Sequence, residues 1–140
     1  TTEIYTLSLH DALPIYLDEY QKRAMQTCLP ESDNLVYMLA NLVGEVGEFA
    51  SKAGKHMRKG KLYVTTMPRN EQGKVLHTQV WSVTEEERKL MLSEIGDILW
   101  QTAGLAKVMG VTLEEVAQEN LAKLASRQRR NVIAGDGDER

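Results

Sequence analysis

Several features are scarce or missing in this sequence, and each absence excludes a class of protein. A single cysteine, Cys28, has no partner for an internal disulfide. No uncharged apolar run is long enough to cross a bilayer or to form the core of a secretory signal. Basic residues do not outnumber acidic ones, at 17 against 20 with a net charge of −3, so bulk attraction to nucleic acid or anionic membranes is not expected. We therefore expect a cytoplasmic protein without a nucleic-acid or membrane partner.

The first fifteen residues, TTEIYTLSLHDALPI, show no sustained helical or strand periodicity. They closely resemble the translation of a common sequencing-library adapter, and the leftover base fits the codon of Tyr16. We therefore expect residues 1–15 to be foreign to the protein; the alternative is a genuine disordered extension. Residues 16–140 have the length of one domain with a modest core.

Capping patterns and helix-breaking residues bound the apolar periodic segments of the chain, which predicts an all-α fold with four helices. The first helix is expected to end near Cys28, before Pro30, and the second at about Gly60. The predicted starts are Asp18 with Gln21, Ser32 or Asp33, Thr84 with Glu87, and Thr112 with Glu115.

Residues 61–83, KLYVTTMPRNEQGKVLHTQVWSV, interrupt the helical pattern. β-Branched and aromatic residues flank a turn-like cluster that contains Pro68 and Gly73. This segment is predicted to form a β-hairpin or ordered flap inserted between the second and third helices.

Two short acidic motifs contain the candidate functional residues of the sequence. GEVGEF contains Glu45 and Glu48, and SEIGDILW contains Glu94 and Asp97. Each pair is three residues apart, which places both carboxylates on one helix face about one turn from each other. For either pair alone, ordinary ion pairs such as Glu48 with Lys52 are the more common explanation.

The surroundings of these acids favour a metal site over ion pairs. Each of the two predicted helices that carry these acids is apolar around most of its circumference and is expected to be largely buried. Carboxylates that face one another there repel unless a cation neutralises them, and several oxygen ligands suit Mg²⁺ or Mn²⁺. The narrow polar wedges are Asn41, Glu45, Glu48 and Lys52 on the second helix, and Glu94, Asp97 and Gln101 on the third.

Four glycines lie inside the predicted second and third helices, namely Gly44, Gly47, Gly96 and Gly104. Glycine costs roughly 1 kcal/mol relative to alanine at such positions. Close approach between helix backbones is a sufficient reason to retain them.

GEVGEF followed by EIGDILW resembles the E-x-x-E and E-x-x-D pair of the MazG-like, all-α nucleoside triphosphate pyrophosphohydrolases. The C-terminal stretch LEEVAQENLAKLASRQRRNVIAGDGDER resembles the end of phage and bacterial single-domain members. The resemblance covers residues 16–140 except the insertion at 61–83, which departs from the family's short connection. It implies an antiparallel helical bundle completed by oligomerisation, as a homodimer or homotetramer, because a single copy would leave apolar helix faces uncovered.

The resemblance also implies hydrolysis of a nucleoside triphosphate to the monophosphate and pyrophosphate, with Mg²⁺ as the cofactor and Mn²⁺ as the alternative. A deoxynucleotide is the favoured substrate, with a housekeeping role in the nucleotide pool. Carried over by position, the metal ligands are Glu45, Glu48, Glu94 and Asp97, and Glu48 also orients or deprotonates the attacking water. The implied substrate-binding residues are Lys52, Asn120, Lys123 and Arg127.

Two alternative functions remain open at the level of sequence. The first is phosphoribosyl-ATP pyrophosphohydrolase activity within the same fold, which the Gly-Asp-rich tail and the insertion disfavour. The second is a non-enzymatic module for helical oligomerisation or nucleotide sensing. Trp81, Tyr63 and Trp100 are candidates for base stacking, although aromatics at such spacings more often belong to the core.

Overall fold

The computed structural model describes residues 15–133. The adapter-like segment up to residue 14 and the Gly-Asp-rich tail at 134–140 lie outside the described residues. Within them, the predicted four helices and the hairpin are confirmed, and two short 3₁₀ turns, Met25–Thr27 and Pro30–Ser32, link the first two helices. The elements are α1 (Leu17–Ala24), α2 (Leu35–Arg58), β1 (Leu62–Met67), β2 (Leu76–Trp81), α3 (Glu85–Val108) and α4 (Leu113–Arg129).

Two capping boxes start α3 and α4 where the sequence places them. The Thr84 hydroxyl accepts a hydrogen bond from the Glu87 amide at 3.1 Å, and the Glu87 carboxylate accepts one from the Thr84 amide at 2.9 Å. Thr112 and Glu115 repeat this exchange at the start of α4. Each box pairs backbone amides that the first helical turn leaves without an intrahelical acceptor.

The predicted capping box of the first helix is wrong. Asp18 lies inside the first turn of α1, whose N-cap is Tyr16, and no side chain caps that end. Gln21 is instead buried and forms tertiary hydrogen bonds. The local capping pattern therefore failed because the Gln21 side chain that it required is used in contacts with distant residues.

The second helix begins slightly later than predicted, because Pro30–Ser32 forms a 3₁₀ turn ahead of it. Its N-cap is Asn34, whose side-chain oxygen accepts a hydrogen bond from the Tyr37 amide at 2.9 Å. At its other end, Gly60 adopts a φ of +65°. This left-handed conformation ends helices readily at glycine, so the predicted C-terminal glycine is confirmed.

Helices α2 and α3 pack side by side in opposite directions and form the main contact of the fold. Met38, fully buried on α2, contacts the position that a side chain at Gly104 of α3 would occupy. A β-carbon there would lie 2.7 Å from the Met38 Cε atom. The close approach predicted for Gly104 is confirmed, and it holds the two helices together at the end where α1 and α4 join them.

Helix α1 is tied to the rest of the chain by two polar side chains. The Gln21 amide donates to the carbonyl of Ala103 at 3.1 Å, and its oxygen accepts from the Leu113 amide at 2.9 Å. The Trp100 indole donates to the carbonyl of Ala24 at 3.1 Å and to the Thr27 hydroxyl at 2.9 Å. Trp100 is therefore a structural contact between α3 and α1.

The inserted hairpin extends from the far end of the α2–α3 pair. Its strands are antiparallel, with Leu62 opposite Trp81 and Met67 opposite Leu76. At its base, the Lys61 ammonium lies 2.6 Å from a carboxylate oxygen of Glu87. This ion pair joins the start of the hairpin to the first turn of α3.

The single chain leaves the apolar sides of α2 and α3 open to solvent. The polar wedges of the two helices face each other, so the apolar residues point away from the helix pair. The exposed side chains, called the apolar face below, are Leu35, Val36, Leu39, Val43 and Val46 of α2 and Leu92, Ile95 and Leu99 of α3.

None of the described helices is long and apolar enough to cross a membrane.

Candidate functional site

Three of the four predicted acids converge between α2 and α3. Each of Glu45, Glu94 and Asp97 offers a carboxylate oxygen, and these oxygens all lie within 4.8 Å of one another. These residues are called the acid trio below. They converge because α2 and α3 run antiparallel and their narrow polar wedges lie along the line of contact between the two helices, called the helix seam below.

The donor chemistry of the acid trio fits a hard divalent cation. Carboxylate oxygens are the ligands that Mg²⁺ and Mn²⁺ prefer. Two ligands of one Mg²⁺ ion, each about 2.1 Å from the metal, are at most about 4.2 Å apart. The observed spacing of up to 4.8 Å therefore requires only small side-chain adjustments, and Glu45, Glu94 and Asp97 are the residues that could hold the ion.

The electrostatics of Glu45 are those of an anion in a crowded anionic site. Burial raises the pKa of the Glu45 carboxyl, and the charges of Asp97, Glu48 and Glu94 raise it further. The nearby Lys52 ammonium acts in the opposite direction. The carboxylates are thus only partly neutralised by the protein, which is the condition under which a divalent cation binds favourably.

Lys52 contacts the acid trio directly. Its ammonium donates a hydrogen bond to Glu94 Oε1 across the helix seam. That hydrogen bond, with the charges of the surrounding acids, raises the pKa of Lys52, so the side chain stays charged. The structure thus brings the predicted substrate-binding residue Lys52 against the acids.

Glu48 lies outside the acid trio. Its side chain is exposed on α2, yet its charge acts on both Glu45 and Lys52. It therefore borders the site without sharing the cluster of oxygens. Its place among the metal ligands stays a prediction.

Two of the predicted substrate-binding residues on α4, Asn120 and Lys123, line grooves whose described lining includes none of the four acids. Asn120 lines a groove of about 450 Å³ with Leu17 and Leu99. Lys123 lines a neighbouring one of about 390 Å³ with Glu115. Arg127 is buried near the end of α4. Their contacts with substrate stay predictions.

Tyr20 of α1 carries no motif that would mark it in the sequence, but it lies near the site. Burial raises the pKa of its phenol, and the charge of Asp97 adds to the shift. Gln101, one turn beyond Asp97 on α3, is 5% exposed, and its side-chain oxygen has no hydrogen-bond partner among the described residues. The docking of α1 brings Tyr20 close enough to Asp97 for this effect, and no local sequence pattern encodes that approach, whereas Gln101 lies on the polar wedge that the sequence predicts.

Comparisons with known proteins agree with this geometry. A family model described as the MazG nucleotide pyrophosphohydrolase domain matches residues 34–132, a range that contains the acid trio, Glu48 and Lys52. The Gene 37 protein of Mycobacterium phage L5 is 33% identical over 133 residues, which cover 90% of this chain and 100% of that relative. No solved structure matches the chain. The chain belongs to the MazG nucleotide pyrophosphohydrolase family.

Proposed function

We propose that this protein hydrolyses a nucleoside triphosphate, with a deoxynucleotide as the favoured substrate, to the monophosphate and pyrophosphate in a Mg²⁺-dependent reaction. The observation that carries the proposal is the convergence of Glu45, Glu94 and Asp97 within 4.8 Å in a chain of this family. Mn²⁺ is the expected substitute for Mg²⁺ because it accepts the same oxygen ligands. The proposed role is housekeeping of the nucleotide pool in the cytoplasm.

The proposed mechanism divides the work among residues of α2 and α3. A divalent cation held by Glu45, Glu94 and Asp97 would polarise phosphate oxygens and lower the pKa of the attacking water. Glu48, exposed beside the acid trio, orients that water and accepts its proton. Lys52 supplies a positive donor for a phosphate oxygen. Most of the catalytic effect then comes from positioning and charge, as in other phosphate-transfer sites.

The test of the activity measures pyrophosphate release from a panel of ribo- and deoxynucleoside triphosphates, with and without Mg²⁺. Phosphoribosyl-ATP belongs in the panel because its hydrolysis is the alternative activity of this fold. A protein that binds nucleotides but releases no pyrophosphate would instead be a sensing module.

Two variants separate the proposed roles of the acids. Asp97→Asn removes a member of the acid trio and is expected to weaken Mg²⁺ binding as well as turnover. Glu48→Gln is expected to lower kcat by roughly 100-fold or more while largely preserving Mg²⁺ affinity. Glu86→Gln, an exposed acid in the first turn of α3, is the matched control. If both Asp97→Asn and Glu48→Gln retain wild-type turnover and Mg²⁺ binding, the site assignment is wrong.

We also propose that the active form is a homodimer or homotetramer assembled through the apolar face. The supporting observation is the number of exposed aliphatic side chains on two adjacent helices, which exceeds what scattered surface residues require. Gly44, Gly47 and Gly96 lie on these helices with no atom within 4 Å of the place a β-carbon would occupy. Such bare helix surfaces permit close approach by a second copy.

A charge placed on the apolar face tests the assembly. Val43→Glu introduces a carboxylate at a site that is 68% exposed in the single chain, and it is expected to shift the mass measured by light scattering towards the monomer. Val64→Glu on the hairpin, where the native side chain is 67% exposed, is the matched control and is expected to keep the wild-type mass. An unchanged mass for Val43→Glu would rule out this face as the interface.

A further inference from the structure

The contact between Lys52 and Glu94 has an unusual setting. The Glu94 side chain is 9% exposed and that of Lys52 is 31% exposed, so the pair lies largely out of solvent at the helix seam. Lys52 follows Glu48 by four residues on α2, the spacing at which a helical ion pair forms readily. Its ammonium nevertheless donates across the seam to Glu94, and thus into the acid trio.

The charges around this contact do not balance. Glu45, Glu48, Glu94 and Asp97 contribute four carboxylates, and Lys52 is the cation whose charge acts on Glu45 within the described residues. Among the described residues, the two other lysine pairs with carboxylates, Lys61 with Glu87 and Lys107 with Asp33, each join one cation to one acid at the margins of the helix pair. Lys52 alone among these three lies against the cluster that fits a divalent ion.

We propose that Lys52 is a placeholder cation, which holds Glu94 in the metal-free protein and leaves it when a divalent cation binds to the acid trio. This inference rests on the proposed metal site. An ammonium and a divalent cation bound to the same carboxylate repel each other strongly in a partly buried site. Lysine suits this exchange because its charge sits on a flexible four-carbon stem with three donors. Once released, the ammonium is free to bind a phosphate oxygen of the nucleotide.

This role has two measurable consequences, one for metal affinity and one for the ammonium of Lys52. If Lys52 competes with the metal ion for Glu94, removal of the lysine must strengthen metal binding. The same removal lowers the stability of the metal-free protein, because Glu94 loses its ion-pair partner. Loss of a positive charge beside the acids strengthens metal binding even where the lysine is not displaced, so the release of the ammonium from Glu94 is measured as well. Tighter metal binding without Lys52, together with release of the wild-type ammonium when the metal binds, therefore identifies the placeholder.

The test is a calorimetric titration of MgCl₂ and MnCl₂ into nucleotide-free protein, combined with the melting temperature of the metal-free protein. Lys52→Met keeps the length of the side chain and removes its charge. It is expected to bind Mg²⁺ at least roughly tenfold more tightly than the wild type and to melt at a lower temperature without metal. Lys107→Met, which breaks the exposed pair with Asp33, is the control and is expected to keep wild-type Mg²⁺ affinity.

A second measurement uses the wild type and so does not depend on the folding of a variant. The ¹⁵N-labelled ammonium signal of Lys52, assigned by its loss in Lys52→Arg, is expected to lose its hydrogen-bonded character when Mg²⁺ saturates the protein. The Lys107 signal is expected to be unaffected.

The possible outcomes separate this inference from the function on which it rests. Unchanged or weaker Mg²⁺ binding by Lys52→Met, or a Lys52 signal that persists at saturating Mg²⁺, would overturn the placeholder role while the metal site stands. A wild type that binds neither Mg²⁺ nor Mn²⁺ would overturn both the proposed site and the placeholder.

Discussion

The side-chain oxygen of Gln21 accepts a hydrogen bond from the backbone amide of Leu113 at 2.9 Å, so a residue of α1 pairs an amide in the first turn of α4. The other end of the same side chain donates to the carbonyls of Ala103 and Val111, at 3.1 and 3.3 Å. One buried amide thus joins α1, α3, α4 and the connection between the last two. This contact positions α1, and with it Tyr20, against the end of the α2–α3 pair.

Replacement of Gln21 by leucine is expected to lower the free energy of unfolding by roughly 1–3 kcal/mol, because a buried backbone amide and two carbonyls lose their partner. Urea denaturation followed by circular dichroism measures the change. Gln26→Leu makes the same substitution at an exposed position just beyond α1 and is expected to have little effect. Equal stabilities of the two variants would show that the Gln21 contacts contribute nothing to the fold.

Alanine at Gly104 is expected to destabilise the protein by about 1–3 kcal/mol, because the new methyl group would overlap the buried side chain of Met38. Gly54→Ala on α2 is the control, since a β-carbon there would meet only the end of Arg58 at 3.8 Å. Thermal unfolding distinguishes the two variants. A Gly104→Ala protein as stable as the wild type would mean that the α2–α3 seam has room that the structure does not indicate.

Glu45→Gln is expected to lower turnover by at least about 100-fold and yet to raise the melting temperature of the metal-free protein at neutral pH. The pKa of Glu45 in the folded protein lies above its ordinary value of 4.5, first because of burial and then because of the acids around it. Its ionisation therefore removes stability as the pH rises from that ordinary value through the raised pKa. A neutral glutamine avoids this loss.

The direction of this pH dependence is tested by the melting temperatures of the wild type and Glu45→Gln, measured from pH 4 to pH 8 in the presence of a metal chelator. The gap between them is expected to widen as the pH rises, whereas Glu86→Gln serves as the control on the same helical scaffold. A Glu45→Gln protein that is less stable than the wild type at pH 8 would contradict the crowded-anion interpretation of the site.

Glu87→Gln is expected to destabilise the protein at neutral pH but not in strong acid. The hydrogen bond from Lys61, together with the one from the Thr84 amide, lowers the pKa of Glu87 from 4.5 to about 2. Because the folded-state pKa is depressed, the ionised carboxylate stabilises the fold above pH 4.5, and this contribution is lost as the pH falls towards 2.

The melting temperature of Glu87→Gln should therefore lie below that of the wild type at pH 7 and converge with it near pH 2. Glutamine keeps a side-chain oxygen for the Thr84 amide, so the comparison isolates the charge that pairs with Lys61 at the base of the hairpin. A constant difference at all pH values would assign the effect to capping geometry and not to the ion pair.

Elements that depend on neighbouring residues were predictable from the sequence. Thr84 with Glu87 and Thr112 with Glu115 mark helix starts because both partners of each capping box lie within one turn. Predictions that needed a side chain to act locally failed when tertiary structure used that side chain elsewhere, as happened with Gln21. The start of α2 moved to Leu35 because Pro30–Ser32 closed a separate 3₁₀ turn.

The candidate site divides in the same way. Helical periodicity and the spacing of the acidic pairs determine by themselves that Glu45 shares a face of its helix with Glu48, and Glu94 with Asp97, since these relationships lie within a single turn. Only the antiparallel packing of α2 on α3 decides that Glu45 meets Glu94 and Asp97, that Glu48 stays at the border, and that Lys52 turns to Glu94. Contacts between distant segments depend on how helices dock, and the docking arises from buried surfaces such as Met38 against Gly104, which no local pattern specifies.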